Sequence, residues 1–73
     1  MTSDEMKRVQ AYMRMKFEND AVTLKRGGKE DMVEVFLDDE FIGTLFRDED
    51  EGEVSYTLMV SILEEDLPPV SAM

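Results

Sequence analysis

Asp48-Glu49-Asp50-Glu51-Gly52-Glu53 holds five carboxylates in six residues, the densest group of ligating side chains in the chain. Carboxylates at alternate positions are how calcium loops are built, and Asp48-x-Asp50 fits the first two ligand positions of an EF-hand loop. The fit ends there. Gly52 stands where a third ligand belongs, and Glu53 stands where such a loop needs glycine for its sharp turn. The run therefore reads as a solvated acidic loop between strands, weak towards divalent cations. Its other use is recognition: Asp48, Glu49, Asp50, Glu51 and Glu53 form a surface that a basic partner protein would fit.

Other chemistry finds less support. With no cysteine and no histidine, disulfides and the usual zinc sites are excluded. Acid–base work by paired carboxylates needs a cleft that holds the two groups apart and tunes them, whereas these acids crowd into turns and the tail. No nucleophile elbow, phosphate-binding loop or dinucleotide fingerprint occurs. Ser55, Ser61, Tyr12 and Tyr56 have no base beside them in sequence. The expectation is a chain without catalytic, cofactor or metal site, and not an enzyme.

The elements that carry these residues follow from periodicity. Thr2-x-x-Glu5 is a capping box. Met6, Val9, Met13 and Phe17 then recur at helical spacing, so a helix is predicted over about residues 3–17. Lys7, Arg8, Arg14 and Lys16 lie on its other faces. Beyond Glu18-Asn19-Asp20 the period changes to two. Val22 and Leu24 mark a first strand, and Arg26-Gly27-Gly28-Lys29 a hairpin turn. Val33, Val35 and Leu37 mark a second strand, and Asp38-Asp39-Glu40 leads into a third over Phe41–Arg47, where Gly43 signals a bulge or close packing. Alternation from Val54 to Leu63 gives a fourth, and the expected core takes Met6, Val9, Met13 and Phe17 from the helix with Val22, Leu24, Val33, Val35, Leu37, Leu58 and Val60 from the strands. The short loops force antiparallel neighbours. The predicted fold is α+β: one helix on a four-stranded antiparallel meander, as a single domain over residues 1–67 with a flexible tail over 68–73.

Composition bounds the partners. The net charge is −10, divided as +3 over residues 1–29 and −13 over residues 30–73. Such acidity repels phosphate backbones, so nucleic acid is not an expected partner. A helix followed by strands is shared with double-stranded-RNA-binding domains, but those end in a helix and carry clustered bases. No apolar stretch approaches the roughly 20 residues of a membrane span, and the first residues lack the apolar core of a signal peptide. The expected setting is the cytoplasm, away from membranes.

The chain resembles a family of short alphaproteobacterial proteins known only as a domain of unknown function. The resemblance rests on Lys7-Arg8-Val9-Gln10-Ala11-Tyr12, Glu40-Phe41-Ile42-Gly43, the run from Asp48 to Tyr56, and Ile62-Leu63 followed by Asp66-Leu67. It spans residues 4 to 67. It implies a freestanding bacterial cytoplasmic domain and brings no activity or site residue with it.

A domain this small buries only about 60 % of its unfolded surface. One helix covers one face of a sheet, and the pleat sends alternate residues to the other. Phe36, Met59 and Leu63 are expected on the uncovered face, joined by either Ile42 with Phe46 or Phe41 with Leu45. That apolar face predicts a homodimer or a protein partner.

Overall fold

The computed structural model describes residues 1–72; Met73, the end of the expected tail, lies outside the described residues. The chain runs α1 (Ser3–Lys16), β1 (Val22–Arg26), β2 (Met32–Leu37), β3 (Glu40–Asp50) and β4 (Glu53–Val60), then short 3₁₀ turns at Glu64–Asp66 and Val70–Ala72. The strands form one antiparallel sheet in the order β1-β2-β3-β4. No helix among the described residues is long and apolar enough to cross a membrane.

Both ends of α1 are closed by local chemistry. Thr2 and Glu5 form the capping box, each side chain accepting from the other's backbone N–H. Met1 and Met6 occupy the flanking positions of a hydrophobic staple; Met1 is buried and Met6 packs on the core. At the other end Glu18 adopts φ 51°. Its N–H donates to Met15 O and that of Asn19 to Arg14 O, a Schellman closure.

Two hairpins turn on two residues each. Asp38-Asp39 joins the Leu37–Glu40 pair and Glu51-Gly52 joins the Asp50–Glu53 pair. All four residues have positive φ, the conformation of a type I′ turn, whose twist matches that of the strands it joins. The acidic run is thus not a loop. Asp48, Glu49 and Asp50 continue β3 and Glu53 opens β4, because a two-residue turn leaves the flanking acids in the ladder.

The core is small: Met1, Met13, Val22, Val33, Val35 and Leu45 are buried, with Met6, Val9, Leu24, Leu37, Ile42 and Leu58 packed around them. Two residues expected there are exposed. Phe17, 55 % exposed, follows the last helical turn, and Val60, 47 % exposed, lies on the strand furthest from the helix. β4 also ends at Val60 rather than Leu63.

Ladder register assigns the faces. Val35 pairs with Gly43 and Phe36 with Phe41, which leaves Ile42 as an extra residue on β3. This bulge brings Ile42 onto the helix-side core and corrects its expected place beside Phe46 on the uncovered face. Phe41 and Phe46 share that face, while Leu45 is buried on the helix side of the sheet. Neither of the two pairings expected from strict alternation occurs. Gly43 is there for close approach: a Cβ on it would lie 2.3 Å from Met59 O.

Candidate functional site

A helix is about 10 Å wide and strands are spaced about 4.8 Å apart, so one helix spans about two of four strands. Here α1 lies along β1, and two polar side chains of its inner face fix it there. Gln10 Oε1 accepts from Leu24 N–H at 3.0 Å and Arg14 Nε donates to Val22 O at 2.8 Å. The half of the sheet formed by β3 and β4 therefore lacks a helix above it.

That offset opens a groove of about 430 Å³ between α1 and β4. Its walls include Val9, Tyr12, Met13 and Phe17 from the helix side and Leu45, Tyr56 and Leu58 from the sheet. Glu5 and Arg8 bring charge to it. The groove was missed by sequence reasoning, which took the helix to cover the whole face. Tyr12 is the signal that was available, a large side chain that falls beside the stripe of Met6, Val9, Met13 and Phe17 rather than within it.

One end of the groove is tied by a polar cluster. Glu5 Oε2 accepts from Tyr56 Oη at 2.7 Å and from Arg47 Nε at 2.8 Å, and Arg47 Nη1 also reaches Glu49 Oε2 at 3.3 Å. Tyr56 thus does have a carboxylate beside it, supplied from 51 residues away. The Tyr56 hydroxyl, the Thr2 backbone donor and Arg47 together hold the Glu5 carboxyl down to about 2. The same carboxylate raises the Tyr56 phenol and the Arg47 guanidinium. Proton transfer is most efficient when the catalytic pKa lies near the working pH. A carboxylate this acidic is a weak base and a raised phenol keeps its proton, so the arrangement works as a hydrogen-bonded tie.

The opposite face carries a second, shallower depression lined by Phe41, Phe46, Met59, Leu63 and Asp66 among others. Phe36 is half-buried there, stacked edge-on against Phe41 at 5.8 Å with Lys25 Nζ 4.6 Å above its ring. Met59 is 61 % and Leu63 54 % exposed, so among the described residues the C-terminal segment does not fold over this face, and Leu67 and Val70 are exposed as well. Four of the five expected interface residues, Phe36, Phe46, Met59 and Leu63, lie on or beside it; Ile42 sits at the bulge on its border.

The acids Asp48, Glu49, Asp50, Glu51 and Glu53 are all exposed at the β3–β4 tip. The pleat directs Asp48 and Asp50 to one face and Glu49 to the other. Among the described residues no three acidic side chains converge as a metal site.

No curated protein and no solved structure matches the chain. A family described as a protein of unknown function (DUF3126) matches residues 5–66, from the Glu5 tie to the 3₁₀ turn after β4, and the chain belongs to that family.

Proposed function

We propose that this domain is a non-catalytic protein-association module of the bacterial cytoplasm, built to present apolar surface to another protein. Its surface area carries the reading. A compact monomer of 8.4 kDa is expected to expose about 4,600 Å² and to have a radius of gyration near 11 Å. This chain exposes 5958 Å², with a radius of gyration of 14.2 Å and a length of 48 Å. The surplus includes the segment after β4, exposed from Ser61 to Ser71, as well as large side chains on both faces of the sheet, and such apolar patches mark interaction sites. The acids around the β3–β4 tip supply solubility and select against anionic partners.

Capture of the tagged full-length chain's partners from its native cell, across a salt series, tests this. A stoichiometric protein partner, or a stable self-complex, is the expected result. A chain that remains monomeric and alone at every salt concentration contradicts it.

A further inference from the structure

The sheet has two edges, and they are finished differently. On β1 the helix side chains Gln10 and Arg14 take up the outward-facing backbone groups of Leu24 and Val22. On β4, among the described residues, no hydrogen bond reaches the backbone from outside its ladder with β3. Natural edge strands are guarded by charge, proline or a bulge, because an open ladder is a template for another chain. From Val54 to Leu63 there is no charged residue, no proline and no glycine. β4 carries one charge, Glu53, at its very start.

We propose that a second copy of this chain docks on β4, the two strands pairing antiparallel about a two-fold axis at Thr57 to make one eight-stranded sheet. This rests on the association module above and names its partner. The register follows from the side chains. Centred at Thr57, Tyr56 stands opposite the partner's Leu58 and Val54 opposite the partner's Val60. On the other face Ser55 stands opposite the partner's Met59. Every helix-side residue of β4 then meets an apolar one, and Glu53 falls opposite the partner's Ser61 rather than an acid. Centring at Tyr56 sets Val60 against the partner's Gly52. Centring at Leu58 sets Glu53, Val54 and Ser55 all beyond the partner's Val60, where the strand ends, whereas centring at Thr57 does so only for Glu53. Area leaves room for a second copy: a stable interface takes about 800 Å² from each partner, and the chain's 5958 Å² exceeds a compact monomer's surface by about 1,400 Å².

Charge separates this occupant from a basic protein. Each copy carries −10, so screening by salt strengthens pairing between copies and weakens capture of a basic partner.

Sedimentation equilibrium of the full chain, from about 0.05 to 0.5 M sodium chloride, is expected to show a dimer that tightens with salt. Because the chain has no cysteine, Thr57→Cys gives a clean geometric probe. Facing residues of an antiparallel pair lie about 4.5–5.5 Å apart at Cα, within disulfide reach. Mild oxidation should cross-link Thr57→Cys to itself. Ser55→Cys should cross-link with Met59→Cys in a mixture and neither with itself. Thr57→Glu, at an exposed position, should keep the native circular dichroism and raise the dimer dissociation constant at least about tenfold, since like charges would then face each other across the axis. A monomer at millimolar concentration overturns the proposal, as does a dimer that Thr57→Glu leaves intact or whose cysteines cross-link in another register. A monomer that binds a different protein stoichiometrically overturns it too, while leaving the association module standing.

Discussion

The Tyr56 hydroxyl donates to Glu5 Oε2 at 2.7 Å, joining the first turn of the helix to the last strand of the sheet. Arg47 donates to the same oxygen from β3, while Glu5 Oε1 accepts from Thr2 N–H at 3.0 Å in the capping box. One carboxylate thus closes the helix end and ties it to two strands that the helix backbone does not lie along.

That tie has a pH signature. The Glu5 carboxyl lies at about 2 in the folded chain against an ordinary 4.5. A group depressed on folding contributes stability that is full above its unfolded pKa and is lost as pH falls through the folded one. Glu5→Gln should lower the urea midpoint at pH 7 and flatten the acid limb between pH 4.5 and 2. Tyr56→Phe should raise the Glu5 carboxyl pKa in an NMR titration. Superimposable acid limbs for wild type and Glu5→Gln would sink the assignment.

Two apolar residues of the helix segment should respond differently to truncation. Met13 is buried and contacts the strand residues of the core, so Met13→Ala should cost about 2–5 kcal/mol. Phe17 is largely exposed on the groove, and Phe17→Ala should cost less than about 1 kcal/mol. Urea denaturation read by circular dichroism checks both; equal costs would contradict the exposed position of Phe17.

Gly43→Ala places a methyl against the Met59 backbone, with the carbonyl oxygen at 2.3 Å and its carbon at 3.2 Å. Backbone cannot swing aside as a side-chain end can. A loss of about 1–3 kcal/mol is expected, with amide shift changes centred on Met59 and Val60. An unchanged melting curve would show that β4 sits further from β3 than described.

Glu18 holds the left-handed position of the helix C-terminus at φ 51°, a conformation that costs a side-chain-bearing residue about 1–2 kcal/mol. Glycine avoids that cost but is more flexible when unfolded. Glu18→Gly should therefore stabilise by a net of about 0.5–1 kcal/mol. A fall in thermal midpoint would show that the Glu18 side chain does more than close the helix.

The helix, its cap and the four strands were legible because each is announced by neighbours in sequence: Thr2 with Glu5, Met6 with Val9 and Met13, Val33 with Val35. The β3–β4 turn was misplaced because acidity was taken as a sign of loop. Glu51-Gly52 alone suffices to reverse the chain, and acids exposed at a hairpin tip cost a strand little. The helix-side groove and the Glu5–Arg47–Tyr56 tie were not legible. The groove depends on where the helix lies across the sheet, which Gln10 and Arg14 decide by bonding to β1. The tie joins residues 42 and 51 positions apart. Arg47, the lone base after Lys29, was the one sequence hint that a specific acid might need it.

The bulge at Ile42 makes this strand unequal in its tolerance of lost residues. Phe36 already pairs with Phe41 and Val35 with Gly43, so removing Ile42 joins two segments whose faces already alternate. Such a deletion forfeits one apolar contact and some twist, yet leaves Phe41, Leu45 and Phe46 on their present sides. Removing Thr44 instead would turn every residue on one side of the gap over, sending Leu45 to solvent or Phe41 into the core. Length variation in this hairpin therefore has one permitted place, and it lies in mid-strand rather than at either turn.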